Sequence, residues 1–453
     1  MLSSPPPIIV WFRQDLRLAD NPALHAAVET GQPIIPLFVL HTASDGRDWG
    51  AASKWWLDKS LRSLDLDLRR RGSRLILRRG DPAVIVPALA QELGAEVVWN
   101  RLYAPESQAR DSDLKAELQA RSFNAALLVE PWRVKTGAGR PYAVFTPFWK
   151  AAQDLIGDEA IHRAPDHLPA PEHWPGSDAP KDWTLHPTRP DWSGGFEAWT
   201  PGEAGAHEQL SDFRKHLDRY PQARDRPDLN GTSHLSPHLH WGEIGPRQVR
   251  ATCGGSAKFM AELGWREFNH HLLHHNGELR RNIRREFDAF PWRVDTAGLQ
   301  AWQEGRTGYP LVDAGMRQLW ATGYMHNRVR MVVASFLIKH LLIDWREGEA
   351  WFWDCLVDAD EANNPANWQW SAGSGADAQP FFRIFNPVSQ GERFDPEGDY
   401  VRRWVAELRN LPARMIHQPW QAGGVKGYPG PIVEHAQARA RALEAFKTMR
   451  AEG

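Results

Sequence analysis

The sequence predicts an α/β domain followed by a mostly helical one, and three features predict it. Short apolar, β-rich runs alternate with helical stretches over the first 130 residues. From about 130 to 205, Pro, Gly, His and Trp crowd together without periodicity. Beyond that, apolar residues recur at helical spacing. A chain of 453 residues has room for two or three domains with sizeable cores.

Ile8–Phe12, Ile34–Leu40, Arg74–Leu77, Glu96–Asn100 and Ala125–Val129 read as strands. Ser53–Arg71 and Pro82–Leu93 read as amphipathic helices between them. Asn21 before Pro22 reads as a helix start, an N-cap with proline at N1. Such alternation predicts a parallel sheet covered on both faces. No GxGxxG follows a strand, so the usual dinucleotide site is not expected here. The segment HRAPDHLPAPEHWPGSDAPKDW reads as a long surface connection. In 311–343, Val312, Met316 and Leu319, then Val329, Val332, Val333, Phe336, Leu337 and Leu341, fall at helical spacing. Boundaries are expected at 1–130, 131–205 and 206–453.

Net charge is -2, so contact with nucleic acid must come from local basic patches. Arg280–Arg285, Arg69–Arg71 and Arg402–Arg403 are candidate patches, or simply solvated faces. Two cysteines, Cys253 and Cys355, make no disulfide framework or metal knuckle and fit a reducing, cytoplasmic setting. The start, MLSSPPPIIVWF, lacks the basic region and apolar length of a signal peptide, and no segment approaches a membrane span. The anomaly is 23 tryptophans, which suggests that aromatic surfaces serve the function.

Five of them, Trp345, Trp351, Trp353, Trp368 and Trp370, fall between Asp344 and Trp370, with Trp320 upstream. Buried indoles want partners for their N–H groups. Asp358, Asp360, Asn363 and Asn364 punctuate the run and supply them, so the stretch is expected to cradle an aromatic redox cofactor. Three further constellations carry chemistry. Asn230–Ser236 is a Gly/Thr/Ser turn entering a helix, suited to a diphosphate or to plain N-capping by Thr232 or Ser233. Glu262 and Trp265, three apart on a helix, share a face that can bind a base edge and stack on its ring. Its structural alternative is a half-buried indole beside a solvated glutamate. Asn327 and Met331 line one face four apart, with Arg328 and Arg330 in reach of phosphate or of Asp358. His270, His271, His274 and His275 form two i,i+4 pairs, but no HExxH or third ligand accompanies them, and a metal is not expected.

Long motifs now identify a relationship. WFRQDLRLADNPAL at 11–24, WREF at 265–268, AWQEGRTGYPLVDAGMRQL at 301–319, HNRVRM at 326–331, DADEANNPANWQW at 358–370 and FFRIFNPVSQGERFDPEGDYVRRW at 381–404 resemble the photolyase/cryptochrome flavoproteins. The likeness is strongest to microbial photolyases that repair cyclobutane pyrimidine dimers. It implies a Rossmann-like α/β antenna domain, a connection, and an all-α domain holding FAD. It implies that Thr232, Ser233 and Ser236 contact the FAD diphosphate with Tyr220 nearby, and that Asp358, paired with Arg330, and Asp360 approach the flavin. Asn364 would face the flavin N5. Trp368, Trp345 and Trp292 would form the tryptophan chain that reduces flavin in light. Glu262, Trp265, Asn327, Met331 and Trp370 would hold the lesion, with Arg224 and Arg328 near the DNA.

The implied partner is damaged DNA, double- or single-stranded, bound by a monomer. A cyclobutane dimer is stable in the dark, so FAD supplies the chemistry while the protein positions it, and the lesion leaves the stack to be reached; photolyases are themselves a named example of that extrusion. A cryptochrome-type light receptor is the alternative; plant cryptochromes tend to carry an acid where this chain has Asn364, and many signalling members carry a long tail that is not expected after Glu434–Gly453. A photolyase for (6-4) lesions would place a histidine at Asn327, because an amide is no general acid. A second chromophore is also implied. Methenyltetrahydrofolate is favoured, although Ser107 stands where folate-binding members place glutamate, so a deazaflavin or second flavin stays open.

Overall fold

The computed structural model describes residues 5–41, 47–158 and 160–452. Strands β1 (Ile8–Phe12), β2 (Ile34–His41), β3 (Ile76–Gly80), β4 (Glu96–Asn100) and β5 (Arg121–Phe123) form a parallel sheet in the order β3-β2-β1-β4-β5. Central β1 is buried throughout. Ile8, Val10 and Phe12 pack with the Ala51–Arg69 helix, while Ile9 and Trp11 pack with the Pro82–Leu93 helix. Burial on both faces explains why IIVWF has no polar position. The Pro22–Val28 helix starts as expected, with the Asn21 side chain accepting from Leu24 N at 3.1 Å.

Two strand expectations need correction. Ala125–Val129 is not a strand, because side chains take its backbone groups. The Glu267 carboxylate accepts from Leu128 N and Val129 N, while Arg17 and Arg266 donate to the carbonyls of Ala125 and Ala126. The fifth strand is the short polar Arg121–Phe123 at the sheet edge, which has no apolar run to announce it. β3 begins two residues later than expected, since Leu75 N donates to Asp65 rather than into the ladder, and it runs on through charged Arg78 and Arg79.

The connection is a packed strap. It contains the Phe145–Gln153 helix, unexpected among so many prolines, whose Phe148 and Trp149 bury against Phe259, Leu263 and Phe268. Leu168, Trp183, Leu185 and Phe196 plug into the core on one side of the sheet. The two halves are joined by buried polar contacts. Glu243 accepts from Trp56 Nε1 at 3.0 Å and Gly202 N at 2.7 Å, and Arg17 donates to the Gly242 carbonyl at 2.9 Å.

The C-terminal half is helical. The pattern over 311–343 resolves into two helices, Pro310–Thr322 and Asn327–Ser335, followed by a π-helical turn at Phe336–His340. Gly323, at φ +67, ends the first in the left-handed region, where a side chain would be strained. The tryptophans divide. Trp11, Trp56, Trp99, Trp241, Trp302 and Trp345 are fully buried core residues, so at least these six indoles serve packing.

Candidate functional site

A cavity of about 510 Å³ lies among the helices, inside the range of about 300–1,000 Å³ usual for ligand sites. Its walls come from the Ala257–Asn276, Asn327–Ser335 and Asn363–Ala372 helices and from the Asn230–Ser236 turn. In that turn a Cβ on Gly231 would stand 2.6 Å from the Ala223 carbonyl oxygen, so the chain approaches too closely for any side chain. Ser236 opens the short Ser236–His240 helix, whose N-cap, Leu235, makes no side-chain capping bond. Ser233 Oγ accepts from Leu235 N at 3.4 Å, so the capping alternative applies to Ser233 even though it is not the N-cap residue itself. Ser233 and Ser236 line the cavity, and Thr232 sits behind, its hydroxyl 3.4 Å from that of the lining Tyr324.

One wall is a charged network. Arg330 donates to both oxygens of Asp358, at 3.2 and 2.9 Å, and Ser236 Oγ donates to the same carboxylate at 2.6 Å. Asp360 borders the cavity but spends its carboxylate on its own helix start, accepting from the backbone of Ala362 and Asn363 and from Asn363 Nδ2. Burial alone would raise the Asp360 carboxyl; His270, His240 and these donors hold it below its ordinary value. Asn364 donates its amide nitrogen to Glu349 Oε1 at 2.8 Å and to the Glu349 carbonyl at 3.1 Å, leaving its own oxygen for the cavity.

Glu262, Trp265, Asn327, Met331 and Trp370 also line the cavity. Phe145 stacks on one face of Trp265 at 3.9 Å and 8°, which fixes the indole while the residue still lines the cavity. Arg224 donates to Glu262, so this carboxylate is ion-paired rather than merely solvated. Arg328 pairs with Asp225 at 2.9 Å, and Arg330 is the arginine that takes Asp358. Tyr220 is not on the wall; it lies beneath Arg224 in a cluster with Phe213 and Phe259.

Trp368 lines the cavity, and its ring neighbours are Phe352 at 5.0 Å and Trp302 at 6.1 Å. Gly348 makes this possible: a Cβ there would lie 2.1 Å from Trp368 Cη2. Trp345 is buried in the same core with its Nε1 donating to Asn282, and half-buried Trp292 packs against that core beside Phe290. Trp351 and Trp320 stack on each other and Trp353 donates to the Asp48 carbonyl, so these three do not border the cavity.

Sequence reasoning missed several wall residues. Lys258 sits one turn before Glu262 on the same helix, a spacing that was available to read. Asn269 donates to Asn363 at 2.8 Å, and Tyr324 and His240 also line the space; nothing local in the sequence marks them. His240 Nε2 and, beside the cavity, His326 Nε2 and Arg328 Nε are buried without a hydrogen-bond partner. Burial pushes His240 and His326 down to about 4, so both are neutral and able to donate or accept. Hydroxyls, an arginine pair and unpartnered ring nitrogens around one cavity are the donor set that a diphosphate and a polar heterocycle need, so the residues present fit FAD.

A family model described as the FAD binding domain of DNA photolyase matches residues 259–448, and one described as DNA photolyase matches residues 8–172. The chain belongs to the DNA photolyase family. It is 52% identical to the deoxyribodipyrimidine photo-lyase of Agrobacterium fabrum, over 98% of both chains. It is 39% identical to Cryptochrome-1 of Arabidopsis thaliana, over 97% of this chain and 70% of that one. The crystal structure of a bacterial class III photolyase from Agrobacterium tumefaciens matches with a TM-score of 0.95 and 50% identity, over 100% of this chain and 99% of that one. Photolyase membership accords with the two-part α/β and helical fold. The four clustered histidines find partners outside any metal: His271 and His275 contact the Pro131 carbonyl and His274 contacts Gln108. Among the described residues no acid, histidine and cysteine group could hold a metal, and no helix is long and apolar enough to cross a membrane.

Proposed function

We propose that the protein is a deoxyribodipyrimidine photo-lyase that splits cyclobutane pyrimidine dimers in DNA. The observation that carries this is one cavity whose lining brings together residues suited to FAD and residues suited to a lesion. Ser233, Ser236 and Arg330 would hold the FAD diphosphate, with Asp358 fixing the Arg330 guanidinium. Bound FAD, reduced and excited by light, supplies an electron to the dimer and takes it back. Trp265 and Trp370 would offer flat apolar surfaces to the two bases, with Asn327 and Met331 beside them. Glu262 would accept from a base N–H, with Arg224 holding the carboxylate in place. Arg224, Arg328 and the exposed Lys258 at the rim would meet phosphates, giving affinity that falls with salt. Trp368, then Trp345 and Trp292, would carry the electron that reduces FAD.

Asn327 favours the cyclobutane lesion over the (6-4) lesion, since its amide cannot supply a proton. Asn364, an amide rather than an acid, favours repair over signalling of the plant cryptochrome kind. A second chromophore, methenyltetrahydrofolate before deazaflavin or another flavin, is supported by family membership. The cavity beside Ser107, between the two halves, measures about 50 Å³, so a pterin there requires that cleft to widen. A cytoplasmic monomer is proposed on the same grounds. The deciding experiment gives the reduced, illuminated enzyme both lesions. Cyclobutane dimers should be split in light only; turnover of the (6-4) substrate would overturn the assignment.

A further inference from the structure

We propose that Arg47, carried by the N-terminal half, is a positioning residue for the flavin: it holds the Glu349 side chain in place and, through Glu349, holds the Asn364 amide in one orientation. The proposal rests on the reading that Asn364 borders the flavin ring.

Glu349 lies on the Trp345–Cys355 helix with no exposed surface. A carboxylate so placed stays charged only if a cation and hydrogen bonds compensate the lost water. Arg47 Nη1 meets Glu349 Oε1 at 2.7 Å. The second cation, Arg280, is further away at 3.7 Å from Oε2 and more exposed, and Oε2 has no hydrogen bond. Arg47 is therefore the principal counter-ion. The helix that carries Glu349 also holds Arg47 in place: the guanidinium lies 4.1 Å over the Trp353 ring, whose Nε1 donates to the carbonyl of Asp48, the residue after Arg47.

Glu349 in turn fixes Asn364. One amide nitrogen donates to Oε1 and to the Glu349 carbonyl, so both of its hydrogens have acceptors and only Oδ1 is left for the cavity. A reduced flavin ring carries an N–H where the oxidised ring carries a bare nitrogen. An acceptor oxygen held against that position favours the reduced ring. Without Arg47, the buried Glu349 side chain loses its principal partner and can turn away from the Asn364 amide. The amide is then free to turn, and the reduced ring loses its acceptor.

The test uses the full chain loaded with FAD and reads the midpoint potential of the bound flavin. Arg47→Gln should bind FAD as fully as the natural protein but shift the potential to more negative values; a tenfold loss for the reduced form is about 30 mV in a two-electron couple. Arg47→Lys should restore most of the shift. Glu349→Gln should reproduce it, which keeps the test open should Arg47→Gln fold poorly. Asn364→Ala should also shift the potential, and adding Arg47→Gln to it should change nothing further. An unshifted potential in Arg47→Gln and Glu349→Gln, with a shift in Asn364→Ala, overturns the role of Arg47 alone. No shift in any of the three overturns the placement of Asn364 beside the ring as well.

Discussion

The carboxyl edge of the parallel sheet and the helical cavity are both rich in buried charge, yet they use it in opposite ways. In open α/β sheets, ligands usually bind where the strand order reverses, outside the strand ends. Here that point lies between β1 and β4, where side chains pair with one another beside a cavity of only about 50 Å³ lined by Gln14, Leu102 and Ser107. Arg13 donates to both oxygens of Asp111, at 2.8 and 2.7 Å, and Asn100 donates to Asp15 and Asn21. In the helical half, Arg330, Asp358 and Ser236 form a comparable network, but it borders a cavity of about 510 Å³. A hydrogen-bonded polar network rigidifies what it borders; only in the helical half does that include room for a large ligand. The difference locates the chemistry in the half whose fold class gives no general rule for a ligand site.

Acid should separate the two regions most strongly. Burial holds His240, His271 and His326 at about 4 and His340 at about 3, against an ordinary 6.5, and all four lie in the helical half. The folded form keeps these rings neutral, while the unfolded chain takes up protons once pH falls below about 6.5. Their contribution is therefore complete above that pH and is lost as pH drops toward 4, on the order of 1 kcal/mol per ring by pH 5. His326 adds a local reason, because its Nδ1 accepts from Arg328 N at the helix start and protonation ends that bond. Hydrogen exchange at pH 5 should show the helical half opening before the sheet; simultaneous opening would contradict the difference.

Arg330→Ala and Arg13→Ala make the comparison sharper. Arg330→Ala leaves the buried Asp358 without a cation, at a cost of about 3–5 kcal/mol, while Arg13→Ala leaves Asp111 only its longer pairing with Arg110 at 3.4 Å and should cost less. Both variants should melt early, but only Arg330→Ala should also lose FAD, as read by flavin absorbance per chain. Equal flavin loss in the two would mean that the networks are not functionally distinct. Gly348→Ala should have a smaller effect, about 1–3 kcal/mol in denaturant titration, because the new methyl meets the Trp368 ring. It should also slow light-driven reduction of oxidised FAD, as Trp368→Phe should, while sparing repair by chemically reduced enzyme.

The sequence made some of this readable and concealed the rest for physical reasons. Ile8–Phe12 was legible because five consecutive apolar residues suit a strand buried on both faces. Ala125–Val129 has the same composition and is no strand, since the partners that decide it, Glu267 and Arg266, come from a helix about 140 residues away. The lesion-side residues Glu262 and Trp265 were readable as a pair on one helical face. That Arg224 takes Glu262 and that Phe145 covers one face of Trp265 depends on packing between distant segments. Tyr220 shows the opposite limit, being near the cavity in sequence terms yet placed behind its wall by the aromatic cluster.

The most direct measurement of the central claim, that lesion and flavin meet in the helical cavity, is single-turnover repair by chemically reduced Glu262→Ala under light, beside its affinity for the same dimer-containing DNA. Glu262 lines the cavity and is held by Arg224. Loss of a hydrogen bond to a charged group costs about 1.5–3 kcal/mol, so the repair yield should fall by about an order of magnitude more than the affinity does. Unchanged repair of cyclobutane dimers by this variant would place the lesion elsewhere.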